Sequence, residues 1–225
     1  MFLRLGDGET MTGQERRDVV LLAERRDVSI TWSRYAPGER GPDPHIHHEH
    51  TDAFYVLEGE LTFALGPGSE RIRMRAGGFV AVPPNVVHSF SNEGSADARW
   101  LNLHAPDTGF AAYLRAARDG TEAVFDSFDP PADGGLPAAE AIVSGPGEGE
   151  RLVLGDQIVL LKGVLPDLCV AEWALDGPFD GRDPHHHGGQ VYSYYVLEGG
   201  KARVVDVRAP DGGFADSLRR DASRR

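Results

Sequence analysis

The stretch Pro44-His45-Ile46-His47-His48-Glu49-His50-Thr51-Asp52 concentrates imidazoles and carboxylates, and His88 follows just after Pro83-Pro84-Asn85. In an extended backbone, side chains two apart point the same way. His45 and His47 therefore project together, while Ile46 points into the opposite layer. Asp52 precedes the apolar Phe54-Tyr55-Val56, and a bend between residues 48 and 51 turns it back towards the two rings. His88 comes from a separate strand, as a metal centre requires if the fold is to hold it. Neutral imidazole suits Fe, Ni, Cu, Zn and Co, and a carboxylate adds a hard oxygen and neutralises charge. Such a donor set leaves positions for water, oxygen or substrate. His48, Glu49 and His50 read instead as a solvated loop with incidental metal affinity. A register built on His48 and His50 would crowd Asp52 onto the same face two residues on.

Many short strands must position these groups. Glycine (28) and proline (15) punctuate short apolar runs throughout the chain, a pattern of strands rather than long helices. Val28, Ile30 and Trp32 alternate with Ser29 and Thr31, which predicts a strand with one buried face. Ala53 to Val56, a turn at Glu58-Gly59-Glu60 and Leu61 to Leu65 predict a hairpin. Arg71-Ile72-Arg73-Met74-Arg75 alternates charge with apolar residues and predicts a strand with a wet face. Phe79 to Val82, Val87 to Phe90 and Arg99 to Leu103 add further strands. About eight antiparallel strands in some 90 residues indicate a double-sheet barrel or jelly roll. A helix begins near Asp107, with Phe110, Tyr113 and Leu114 on one face and Gly120 as its stop. Residues 126–149 read as a linker containing a short helical turn around Pro137 to Ile142.

The chain repeats itself. His45, His47 and Gly59 recur 140 residues on as His185, His187 and Gly199, and Val20-Leu21-Leu22 and Trp32 resemble Val159-Leu160-Leu161 and Trp173. Ala105-Pro106-Asp107 recurs only 104 residues on, as Ala209-Pro210-Asp211. The second copy therefore lacks the segment that carries Pro83, Asn85 and His88. Tyr192 stands at its carboxylate position, so it is expected to be a degenerate structural copy. The division expected is an N-terminal barrel with trailing helix over residues 1–125, a linker over 126–149 and a partial unit over 150–225. Losing strands from a two-sheet fold exposes edges, which predicts a homo-oligomer, most simply a dimer.

Net charge is -12, from 35 acidic against 23 basic residues. Only two of the basic residues are lysines, Lys162 and Lys201. A negative field repels phosphate backbones, so no nucleic-acid partner is expected. No apolar run is long enough to span a membrane and nothing resembles a signal peptide, so a cytoplasmic location is expected. The single cysteine, Cys169, sits in an apolar strand and reads as a buried, inert thiol.

The two histidine segments together resemble the cupin superfamily, in a two-domain (bicupin) arrangement with a shortened second unit. His45-x-His47, four residues, Asp52, six residues and Gly59 match the first cupin motif, without its leading glycine and with Asp for Glu. Gly77, Pro83, Asn85, His88 and Asn92 match the second, with Asn85 for its glycine; asparagine tolerates left-handed backbone at such a turn. The resemblance implies an all-β, double-stranded β-helix (jelly-roll or cupin barrel). It also implies one divalent transition metal (Fe, Mn, Ni or Zn) on His45, His47, Asp52 and His88. Metal-binding cupins include dioxygenases, decarboxylases and sugar isomerases. The reading favoured here is an oxygen-dependent, quercetinase-like oxidoreductase acting on a small, oxygenated, partly hydrophobic substrate. Phe54, Val56, Phe63, Val82, Phe90 and Trp100 would wall its cavity, and Asp52 could act as catalytic base if it does not bind metal. Alternatives are a metal-assisted isomerase or cyclase, and a non-catalytic small-molecule binding or sensing protein.

Overall fold

The computed structural model describes residues 7–175, 189–198 and 203–224. The chain divides into two compact units, Met1–Pro146 and Gly147–Arg225. The first contains β1 (Glu9–Gly13), β2 (Arg17–Arg25), β3 (Val28–Tyr35), β4 (Thr51–Glu58), β5 (Glu60–Leu65), β6 (Glu70–Arg75), β7 (Phe79–Val82), β8 (His88–Ser91) and β9 (Ala98–Ala105). Helix α1 (Phe110–Asp119) and strand β10 (Ile142–Ser144) complete it. Seven strands form one antiparallel sheet in the order β1-β2-β3-β9-β4-β7-β10, and β6-β5-β8 form a second.

The expected cupin barrel does not form: among the described residues no sheet closes on itself. The outer side of β8 meets the chain only through single bridges, Arg40 to Ser91 and His45 to His88. The segment making those bridges carries Pro37, Pro42 and Pro44. Proline has no amide hydrogen to donate, so no continuous ladder can run there. The arrangement is jelly-roll-like, two open antiparallel sheets facing each other.

The core lies between those sheets. Phe54, Val56, Val80, Val82 and Trp100 of the larger sheet meet Leu61, Phe63, Leu65 and Met74 of the smaller one. Each fully buried side chain of this kind contributes about 1.5–3 kcal/mol. The β6 arginines stay exposed and Met74 is buried, as the alternation predicts. Gly59 joins β4 to β5 with φ +71°, and a Cβ there would collide with the Asp97 carbonyl oxygen. Only glycine suits both demands.

On β3 the alternation misleads. Ser29, Thr31 and Ser33 are buried as well as Val28 and Ile30, while Trp32 is half-buried. The small polar face looks inward, where Thr31 and Ser33 border a cavity. Residues 126–146 belong to the first unit: Phe128 bridges Ile46, Gly135 bridges Val86, and β10 pairs with β7. The short helical turn falls at Ala138–Glu140.

The second unit contains β11 (Glu150–Leu154), β12 (Gln157–Val164), β13 (Cys169–Leu175), β14 (Val191–Glu198), β15 (Arg203–Ala209) and helix α2 (Phe214–Ser223). Its sheet order, β11-β12-β13-β15-β14, repeats β1-β2-β3-β9-β4. Two of the three ladder irregularities of these strands recur. The shift between Leu21 and Ala23 returns between Leu161 and Gly163, and that between Val56 and Glu58 returns between Val196 and Glu198. These registers correct two of the sequence pairings by one residue. Leu21 corresponds to Leu161, and Trp173 corresponds to Ser33 rather than Trp32. A one-residue slip moves a side chain to the other face. Four residues separate β14 from β15, so nothing there corresponds to β5–β8. Leu152, Val159, Leu161, Cys169 and Ala171 pack beneath Ala215 and Leu218 of α2. Among the described residues, no helix is long and apolar enough to cross a membrane.

Candidate metal centre

His45, His47, Asp52 and His88 come together in the first unit, each offering one ligand atom within 4.8 Å of the others. Local backbone explains the convergence. His45 and His88 exchange backbone hydrogen bonds, His45 N to His88 O at 3.0 Å and His88 N to His45 O at 2.9 Å. The chain bends at His48-Glu49 and re-enters as β4, which carries Asp52 to its place beside His104 of β9. Asn85 holds the turn before His88 in left-handed backbone, φ +69°, and its amide donates to the His47 carbonyl at 2.7 Å.

Each histidine of the cluster is oriented by a backbone carbonyl. His45 Nδ1 lies 2.9 Å from Asp43 O, His88 Nδ1 3.2 Å from Val86 O, and His47 Nδ1 donates to Asp126 O. Carbonyls only accept, so the proton sits on Nδ1 and the Nε2 lone pair is left for an ion. His88 Nε2 is 3.2 Å and His47 Nε2 3.9 Å from Asp52 Oδ2. The other Asp52 oxygen accepts from Asn102 Nδ2.

The protonation states suit ligation. Burial, then the neighbouring His88 and His47 rings, push the His45 imidazole down to about 4. Burial works to raise the Asp52 carboxyl, but His104, His47 and His88 together hold it well below the usual carboxylate range. A neutral imidazole and an ionised carboxylate are the forms that bind a divalent cation. His47 is 2 % exposed and its Nε2 has no hydrogen-bond partner. A buried acceptor without a partner is costly, and a cation there would satisfy it. The donor set, three nitrogens and one carboxylate oxygen, therefore fits a divalent transition ion.

Three residues that matter escape the sequence reading. His50, expected to be solvated, is fully buried, whereas His48 and Glu49 are exposed. His50 Nδ1 lies 2.8 Å from Asp126 Oδ2 and its Nε2 3.0 Å from His104 Nδ1. His104 is 3 % exposed, with Phe110 against its ring at a centroid distance of 3.6 Å. Its signal lay in the period-two run Trp100, Asn102, His104 along one face of β9. Asp126, within the stretch read as a linker, fastens the histidine loop. Its carboxylate accepts from His48 N at 3.0 Å and Glu49 N at 2.7 Å, besides His50. Burial opposes its ionisation, and these donors outweigh it to hold the carboxyl below its usual value.

His45, His47 and Asp52 border a cavity of about 1010 Å³. Its walls include Tyr35, Phe90, Trp100, Phe110, Tyr113 and Phe125, with Thr31, Ser33, Arg17 and Asn102 as polar groups. Of the expected wall, Phe90 and Trp100 border the cavity, while Phe54, Val56, Phe63 and Val82 pack in the core.

At the corresponding place in the second unit, Tyr192 pairs with Arg208 where Asp52 pairs with His104. The Arg208 guanidinium lies 3.3 Å over the Tyr192 ring and 4.1 Å over Phe214, and bonds both Asp206 oxygens at 2.6 and 2.7 Å. Tyr192 and this fixed side-chain cation thus stand where Asp52 and His104 stand in the first unit. His185 and His187 lie outside the described residues.

Residues 31–104 match the family model described as Cupin domain. Over 91 residues the chain is 33% identical to quercetin 2,3-dioxygenase of Bacillus subtilis, covering 39% of this chain and 26% of that protein. Over 97 residues it is 35% identical to germin-like protein subfamily 2 member 2 of Arabidopsis thaliana, covering 40% of this chain and 44% of that one. The matches thus span less than half of either relative. Among solved structures, protein Ylba from E. coli superposes with a TM-score of 0.55 at 15% identity, covering 87% of this chain and 78% of that one. That likeness speaks to fold alone, and it extends across both units. The chain has the cupin-superfamily fold, and residues 31–104 are the part that matches the cupin-domain model.

Proposed function

We propose that the chain is a metal-dependent cupin in which His45, His47, Asp52 and His88 hold one divalent ion, and that it oxidises a small, oxygenated, partly apolar molecule with dioxygen. The observation that carries this reading is the placement of buried and half-buried, carbonyl-oriented imidazoles and an ionised carboxylate beside a cavity with aromatic walls. When bound, the ion supplies Lewis acidity and a template for substrate oxygens. The protein's own groups then select and orient. Thr31 Oγ1 and Trp100 Nε1, on residues that border the cavity, are buried without hydrogen-bond partners. Both can donate to an oxygen-bearing ligand. The aromatic walls favour a ring or short hydrocarbon and exclude water. Asp52 serves in this reading as a ligand: its oxygens already face Asn102, His47 and His88, and its depressed pKa makes it a weak base.

The B. subtilis relative's name points the same way. The repeated strand order supports a bicupin ancestry in which the second unit kept its sheet and lost its site. Oxygen consumption tests the proposal. Protein loaded in turn with Fe, Mn, Ni or Zn is given a flavonol or a catechol, and oxygen uptake is followed with an electrode. Uptake that needs metal and falls at least ~100-fold in a His88→Ala variant supports the reading. Metal-dependent turnover of substrate under argon would replace it with isomerase or cyclase chemistry. Tight binding of these molecules without turnover would replace it with a binding role.

A further inference from the structure

Behind the four-ligand cluster runs a line of polar contacts whose protons do not add up. Asp126 Oδ2 faces His50 Nδ1 at 2.8 Å, His50 Nε2 faces His104 Nδ1 at 3.0 Å, and His104 Nε2 faces Asn102 Oδ1 at 3.3 Å. The two ends are acceptors. The Asn102 orientation is set by its Nδ2, which donates to Asp52 Oδ1 and to Ala53 O. Three gaps need three protons, and two neutral imidazoles bring two. With a proton in each end gap, the middle gap holds two nitrogen lone pairs facing each other. His47, whose Nε2 is equally buried and without a partner, belongs to the same cluster: His47, His50 and His104 each offer a ring nitrogen within 4.8 Å of the others.

We propose that these three nitrogens, His47 Nε2, His50 Nε2 and His104 Nδ1, form a second cation position that shares His47 with the four-ligand centre and takes a nitrogen-preferring divalent ion such as Zn, Co, Ni or Cu. An ion there fills the middle gap and satisfies His47 at once, which a single extra proton between His50 and His104 does not. Nitrogens about 2.1 Å from one ion lie about 3 Å apart at right angles and about 3.4 Å apart at tetrahedral angles; His50 and His104, 3.0 Å apart, stand at the lower end of that range. The outer ring atoms are already tied down. His50 Nδ1 donates to the Asp126 carboxylate, with Thr108 Oγ1 also at 2.9 Å, and His104 Nε2 donates to Asn102. A carboxylate behind a ligating histidine fixes the ring and raises its basicity. Because His47 has only one lone pair to give, the two positions exclude each other, and the protein binds one ion with two places to put it. The inference goes beyond the proposed oxidase and does not require His45 or His88.

Cobalt(II) titration of the full chain tests it, read by visible absorption, whose bands follow coordination geometry, and by metal content after gel filtration. The wild type is expected to bind one equivalent. A His45→Gln/His88→Gln variant should still bind one equivalent, with a changed spectrum, and adding His104→Gln should weaken it at least 100-fold. His50→Gln in place of His104→Gln should do the same, so the test does not depend on one variant folding. Circular dichroism confirms folding in each case. Loss of all cobalt from the folded His45→Gln/His88→Gln variant would overturn the second position, and two equivalents in the wild type would overturn the sharing. A wild-type spectrum in that variant, with loss on His104→Gln alone, would support the second position while sinking the four-ligand centre.

Discussion

Asp126 offers the sharpest test of how the site is built. Its carboxylate receives three hydrogen bonds from a loop some 77 residues earlier, at 3.0, 2.7 and 2.8 Å. In Asp126→Ala the His48 and Glu49 amides lose their acceptor and His50 Nδ1 keeps only Thr108 Oγ1, 2.9 Å away. The buried His50 Nδ1–H then exchanges a hydrogen bond to a charge for one to a neutral hydroxyl, at about 1–2 kcal/mol. The His48 and Glu49 amides belong to exposed residues; water reaches them, and each costs about 0.5–1 kcal/mol. The sum is about 2–4 kcal/mol, a substantial part of the ~5–15 kcal/mol that holds a domain folded. Asp126→Asn keeps one acceptor oxygen and should cost about 1–2 kcal/mol. Urea unfolding of chelator-treated protein measures both, with the slope against urea unchanged. Metal affinity should fall ~10–100-fold in either variant, because the Asp126 segment orients His47 and His50. An Asp126→Ala midpoint within ~1 kcal/mol of wild type, or an Asn variant worse than the Ala variant, would refute the reasoning.

Two further outcomes follow from packing and burial. Gly59→Ala should destabilise by about 2–4 kcal/mol, combining left-handed backbone strain with the clash at Asp97 O; an unchanged thermal midpoint would contradict the turn. Cys169 is fully buried and burial pushes its thiol well up, so a thiol reagent should leave the folded protein unmodified and label it promptly in denaturant. Fast labelling of the native protein would contradict the packing beneath α2.

Much of the first unit could be read in advance because its signals are local. The β6 arginines, the Gly59 turn, Asn85 in left-handed backbone and the Gly120 stop of α1 each depend on a few neighbouring residues. The convergence of His45, His47, Asp52 and His88 was legible because two separate spacings agreed. What escaped was non-local. Whether facing sheets join into a closed wall depends on the prolines of residues 37–44 and on bridges such as Arg40 to Ser91, which alternation does not encode. The inward polar face of β3 reverses the usual rule because a cavity, rather than packed hydrocarbon, lies against Thr31 and Ser33. His50 sat in a run of histidines that read as solvated, His104 was marked only by its place on one face of β9, and Asp126 acts on a loop far from it in sequence.

The five-strand order shared by the two units has an evolutionary corollary. In the second unit the ladder from β11 through β14 closes up without any counterpart of β5–β8, and its bulges stay in step with the first. The hairpin insert that brings His88 is thus absent from a frame whose pairing order persists without it. A lineage could shed the insert in one deletion and keep that strand order, and a designer could graft a different insert between the same two strands.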